Sequence, residues 1–224
     1  EGGSFDEELV TDSEGAIDVS YLKHGSYHLQ EIEAPEGYVI CDVDDEGNAK
    51  VYDLKVNDQG MFESEDGSMK AVYELEIENM PKTMRTTATD AASGAHEGQA
   101  RGELTIIDVI EYTGVIPGCE YTVKGTLMDK ATGEPALDGD GNQITAEATF
   151  TAEGFEGTVE VTFVFNGASM ANTRLVAFEE MIFEDAEYMV HADIDDVDQA
   201  VNVVDIATQA QNPETGDQTG IAGD

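Results

Sequence analysis

The segment His191-Ala192-Asp193-Ile194-Asp195-Asp196-Val197-Asp198-Gln199 gathers a histidine, four aspartates and a glutamine, and the chain then turns apolar at Ala200-Val201. A histidine among carboxylates can pass protons near neutral pH. The glutamine is a different prospect. Its amide carbon is a poor electrophile, and it reacts only when a nucleophile, a base and an acid are brought to it. Alone, the segment reads as an acidic turn leading into a strand. Sharper chemistry needs a partner from elsewhere in the chain.

Such a partner has to be supplied by rigid elements. Apolar residues recur mostly with period two, and Gly, Asp and Asn punctuate them, which is the rhythm of antiparallel sandwiches. The fold class expected is all-β: two tandem immunoglobulin-like or prealbumin-like sandwiches on a short linker, with a disordered tail. In the first, strands are expected at Ile17–Leu22, Tyr27–Ile32, Val51–Val56 and Val72–Ile77. In the second they are expected at 83–89, 104–112, 121–128, 144–150, 158–165, 174–178 and 201–205, with Ala131 to Asn142 as a hairpin loop. Asn79-Met80-Pro81-Lys82 marks the boundary, stiffened by its proline. The domains are therefore placed at 1–81 and 82–206, with a polar, Gly-rich tail over 207–224.

Composition narrows the function. Asp plus Glu number 49 against 10 Lys plus Arg, a formal charge of −39. Such a surface repels phosphate, which excludes nucleic acid and anionic membranes as partners. No apolar run is long enough to span a bilayer and no basic leader opens the chain, so it reads as a mature segment. Cys41 and Cys119 are expected to be unpaired thiols. No cofactor and no metal are expected. Asp138-Gly139-Asp140-Gly141-Asn142 starts like a calcium loop but has Gln143 and Thr149 where that loop needs Gly and Glu. Asp193, Asp195 and Asp198 form a weaker cation candidate.

Tyr27-His28-Leu29-Gln30-Glu31-Ile32-Glu33-Ala34-Pro35-Glu36-Gly37-Tyr38 resembles the signature of collagen-adhesin B-type, prealbumin-like pilin domains. Asp12 to Gly15, Leu22 to Gly25 and the closing Ile77-Glu78-Asn79-Met80-Pro81 are similar to its turns and last strand. The resemblance implies a Lys–Asn isopeptide bond, with Asn79 as acceptor and Glu31 moving the protons. The Lys should lie on strands upstream of residue 1, so this domain is expected to be partial. Lys23, Lys50, Lys55 and Lys70 are all wrongly placed.

A second resemblance covers the rest. Thr86-Thr87-Ala88-Thr89-Asp90, Ile116-Pro117-Gly118-Cys119-Glu120-Tyr121, Lys124 to Gly133, Val176-Ala177-Phe178-Glu179 and the His191 segment occur in the order found in the VaFE repeat, a Thr–Gln ester-bond domain of Gram-positive surface proteins. It implies an intramolecular ester from Thr86 or Thr87 to Gln199, with Glu179, His191 and Asp196 as catalytic residues. Alternation favours Thr86, because Thr87 shares a face with Arg85. By the logic of acyl transfer, Asp196 and His191 would activate the threonine, and a buried, protonated Glu179 would polarise the amide. This is one self-directed turnover, so no enzyme is expected. Asn212-Pro213-Glu214-Thr215-Gly216 resembles a sortase sorting motif, with Pro213, Thr215 and Gly216 in their usual places and Asn for Leu. The reading is a wall-anchored adhesin or pilus-like stalk, monomeric and extracellular, joined to peptidoglycan through a sortase. A tip domain binding a host surface ligand or calcium is the alternative.

Overall fold

The computed structural model describes residues 6–20, 22–44, 46–64 and 67–205, with the backbone of 208–211 and 218–222. No helix occurs among them. In chain order the strands are β1 Gly25–Gln30, β2 Tyr38–Ile40, β3 Val51–Val56, β4 Phe62–Glu63, β5 Met69–Lys70 and β6 Asn79–Pro81. They continue with β7 Thr83–Asp90, β8 Glu97–Gln99, β9 Leu104–Thr113, β10 Glu120–Asp129, β11 Glu134–Pro135 and β12 Thr145–Thr151. The last are β13 Glu156–Phe165, β14 Thr173–Phe183, β15 Ala186–His191, β16 Ala200–Val204, β17 Thr208–Gln211 and β18 Gln218–Ala222.

Two compact units result: Glu1–Glu33 with Asp42–Glu78, and Ala34–Cys41 with Asn79–Asp224. The first is an antiparallel sheet in the order β1-β3-β4-β5. Two of its expected strands do not form. Ile17–Ser20 and Leu22 are irregular, as is Val72–Ile77, with Ile17, Val19, Val72 and Tyr73 exposed. Alternation in sequence becomes a strand only where a neighbouring strand and a buried face support it.

The second unit is a sandwich. One sheet is β13-β9-β7. The other runs β11-β10-β14-β16-β8, with β12 added on β10 and β15 on β14. Pairing is antiparallel except between β16 and β8. The inner faces carry Leu104, Ile106, Ile110, Val123, Leu127, Val161, Phe163, Leu175, Met181 and Val203, all buried. One end is closed by Tyr112, Tyr121, Phe150, Phe183 and Tyr188 in mutual ring contact.

Two further features differ from the sequence expectation. β15 was hidden because its hairpin turn is Glu184-Asp185, with both residues at positive φ (51° and 62°). That is the geometry usually signalled by Asn-Gly. The tail expected to be disordered contains an antiparallel ladder, β17 with β18. The tail lacks the apolar alternation by which strands are recognised, and backbone pairing leaves no trace in composition.

Candidate functional site

Three inward strand faces each carry a polar residue toward one point in the core. On β7, Thr86 sits between Met84 and Ala88 and is 4% exposed, while Thr87 lies on the outward face. On β14, Glu179 sits between Ala177 and Met181 and is 1% exposed. On β9, Asp108 sits between Ile106 and Ile110 and is fully buried. The period of two that drives these strands to bury one face buries the polar residues with it. Gly125 on β10 pairs with Glu179, and any Cβ there would strike the Phe163 ring.

Gln199 enters from the loop before β16 and is fully buried. Both sheets hold its main chain. Ala177 N donates to Gln199 O at 3.0 Å, and Ala88 N donates to Asp198 O at 2.9 Å. Its side chain then points at Thr86 and Glu179. Nε2 donates to Thr86 Oγ1 at 2.8 Å and to Glu179 Oε2 at 2.9 Å. Gln199 Oε1 is buried with no hydrogen-bond partner among the described residues, while the Asp108 carboxyl lies against the Glu179 carboxyl, the Thr86 hydroxyl and the Thr87 backbone N–H.

Burial and then the neighbouring Asp108 charge push the Glu179 carboxyl up to about 10. Burial also raises Asp108, against opposing contributions from Glu179, Thr86 and the His191 charge. Two desolvated carboxyls this close do not both ionise at neutral pH, so the pair shares a proton.

His191 and Asp196 stand at the rim. His191 ends β15 opposite Glu179 in the ladder. Its Nε2 lies 3.1 Å from Asp196 Oδ2, and the two side chains are 24% and 25% exposed. Partial burial works to raise the Asp196 carboxyl. The Asp198 N–H and His191 outweigh it and leave the carboxyl below its usual range. The loop between them is pinned by Lys130, whose Nζ donates to Ile194 O and to Asp195 Oδ1, each at 3.0 Å.

The cation candidates are engaged otherwise. Asp195 N donates to Asp193 Oδ1 at 2.9 Å. Asp138 Oδ1 accepts from the backbone of Asp140 and Asn142, capping a hairpin turn. No group of three or more potential metal ligands occurs among the described residues. Glu31 falls in the first unit, just after β1, and Asn79 opens β6 in the second. Pro213, Thr215 and Gly216 lie outside the described residues. Cys119 is a free thiol.

The sequence reading brought Thr86, Glu179, His191, Asp196 and Gln199 forward and missed Asp108. Its signal was present. In Leu104-Thr105-Ile106-Ile107-Asp108-Val109-Ile110-Glu111-Tyr112, Asp108 occupies a position in register with the apolar inward face. A carboxylate there is costly unless it is neutralised or used.

Fold and site together define a class: an all-β sandwich in which a buried strand threonine and a buried loop glutamine, far apart in the chain, meet beside two carboxyls. The chain belongs to the T-Q ester bond containing domain family, whose model matches residues 82–203. Residues 1–67 match the prealbumin-like fold domain. Among solved structures, the chain is similar to a bacterial adhesin from Mobiluncus mulieris containing intramolecular disulfide, isopeptide and ester bond cross-links. The identity is 14% and the TM-score 0.42, over 56% of this chain and 58% of that one. It is also similar to the major pilin subunit of Bacillus cereus, at 16% identity and a TM-score of 0.39, over 96% of this chain and 66% of that one. The chain thus spans less than two thirds of either neighbour. No curated protein matches it.

Proposed function

We propose that this chain is a stalk or adhesin segment of a bacterial surface protein, and that its second sandwich locks itself with an ester between Thr86 and Gln199. The observation that carries the reading is the buried 2.8 Å contact between Gln199 Nε2 and Thr86 Oγ1, across 113 residues of chain. Thr86 Oγ1 attacks the Gln199 amide carbon and gives its proton to Asp108, the carboxyl that faces it. The C–N bond breaks, and Glu179, 2.9 Å from the departing nitrogen, supplies the proton that makes it ammonia. One proton thereby passes between the two carboxyls and none is consumed. His191, held by Asp196, favours the ionised form of Asp108 by its charge when protonated. The closed core keeps water from the ester.

The value of such a bond is mechanical. It ties β7 to the entry of β16, so tension along the chain loads a covalent link before any strand can peel. Sorting at Pro213, Thr215 and Gly216 would join the segment to peptidoglycan through a sortase and place it outside a Gram-positive cell. Intact mass tests the reading: the folded protein should weigh one ammonia, about 17 Da, less than its sequence. Thr86→Ala should restore the full mass and Thr87→Ala should not. A folded wild-type protein at full sequence mass would sink the ester.

A further inference from the structure

We infer that Lys130 is a positioning residue for the cross-link: it holds the chain between His191 and Gln199 on the path that presents the Gln199 amide to Thr86. The inference rests on the ester reading above and names the device that delivers its electrophile. β15 and β16 both pair with β14, one beyond the other. His191 faces Glu179 and Ala200 faces Val176, so three steps along β14 are matched by nine along the facing chain. The excess loops out, and it carries Asp193, Asp195, Asp196 and Asp198. Like charges crowded into so short an excursion repel one another and favour its opening. Its internal bonds are local turns: Asp195 N and Asp198 N donate to the side chains of Asp193 and Asp196. Asp196 is tied back to His191 at the entry. Among the described residues, Lys130 is the one lysine or arginine that pairs with these aspartates.

Lys130 is built as a fixed post. It follows directly on β10, whose last residue, Asp129, pairs with Leu175 of β14. Lys130 N donates to Arg174 O at 2.9 Å, and Gly133 N donates to Asp129 O at 2.8 Å to close the turn. Gln199 O takes its bond from Ala177 N on the same strand. Post and amide are thus referenced to β14, and the Lys130 arm sets the path between them. Its Nζ gives two charge-assisted bonds, to Ile194 O and to Asp195 Oδ1, each at 3.0 Å. The Lys130 side chain is 28% exposed, against 83% for Asp195. The bond to the main chain is therefore the anchor, and the ion pair is a screened addition. Shifting a reacting group by about 1 Å can cost about a hundredfold in rate, so the path of this excursion bears directly on the attack by Thr86.

The test follows the full chain as it is made. Each variant is synthesised in a cell-free extract and sampled over time by intact mass for the loss of about 17 Da. Lys130→Met keeps the apolar stem and removes the donors, and should slow that loss by about tenfold or more. The factor should be the same at every pH, because the carboxyls that move the protons are untouched. Lys130→Arg keeps the charge and the N–H donors and should restore most of the rate. Asp195→Asn spares the bond to Ile194 O and should mature at close to the wild-type rate. In the Thr86→Ala background, Lys130→Met should leave the protein folded with its Tm little changed, which separates positioning from a general loss of structure. Lys130→Met maturing as fast as wild type overturns the inference. Equal slowing in Lys130→Arg, or unfolding of Lys130→Met in the Thr86→Ala background, reduces Lys130 to a structural residue and overturns it too. A wild-type chain that never loses ammonia overturns the ester reading itself, and is told apart by its mass before any variant is compared.

Discussion

In the first unit Val56, at 2% exposed, is the single fully buried hydrophobic residue among those described, while Val10 (84%), Ile32 (67%) and Val72 (67%) face solvent. In the second, a continuous core runs from Met84 to Val203 and encloses Thr86, Asp108, Glu179 and Gln199. Both units are mainly antiparallel, acidic and rich in turns. What separates them is closure. A carboxyl acquires a strongly raised affinity for its proton only where water is excluded, and an amide meets a hydroxyl reproducibly only where both are packed. The second unit offers both conditions. The sheet of the first leaves its apolar side chains too exposed for either.

The largest effect expected comes from removing the bond. Thr86→Ala should appear at its own full sequence mass, without the loss of about 17 Da, and, on a chain-entropy estimate for a loop of this size, lower stability by about 4 to 5 kcal/mol. Intact mass and thermal unfolding together check this. Loss of stability without the mass change would reduce Thr86 to a packing residue.

Glu179→Gln and Asp108→Asn keep side-chain shape but remove the shared proton. Each should slow cross-linking by about a hundredfold or more, read as the unreacted mass persisting after refolding. If only Glu179→Gln does so, the proton path through Asp108 is wrong. If His191→Gln is as severe as either, the base stands at the rim and not in the core.

The uncross-linked Thr86→Ala protein should also report Glu179 through pH. Folded, Glu179 holds its proton to about pH 10, but unfolded only to its ordinary 4.5. The folded state therefore binds the extra proton between those values, and stability should fall as pH rises through that window. Thermal scans at stepped pH should show a declining Tm, and adding Glu179→Gln should flatten the decline.

The comparison between the units has its own test. Limited proteolysis should cut within 6–78 well before 83–205, and the cross-link should widen the gap. Equal cleavage in both would mean that the exposed apolar residues of the first unit are covered in solution. The smallest effect expected is at Asp195. Its side chain is 83% exposed, so Asp195→Asn should cost under about 1 kcal/mol despite the Lys130 contact. The same denaturation assay detects it.

Much of this was legible in the chain. The long strands of the second unit follow their alternation closely, because most pack an apolar face into the core. Ile17–Leu22 and Val72–Ile77 alternate as well, yet their described residues form no strand, because alternation states which face wants burial and not whether anything is there to bury it. β15 escaped because Glu184-Asp185 makes a turn that its residue types do not advertise. Asp108 escaped for a related reason: one aspartate in an apolar run looks like a fault until its neighbours are known.

The sequence by itself determined the all-β class, the spacing of His191, Asp196 and Gln199, and the preference for Thr86 over Thr87, since period two alone sets the face of a strand. Only the tertiary structure decided that Gln199, 113 residues away, lies against Thr86, and that Asp108 and Glu179 share one dry chamber beside them. Such encounters depend on which strands the two sheets bring together. Desolvation, which gives these carboxyls their chemistry, is a property of the closed core and of no single residue in it.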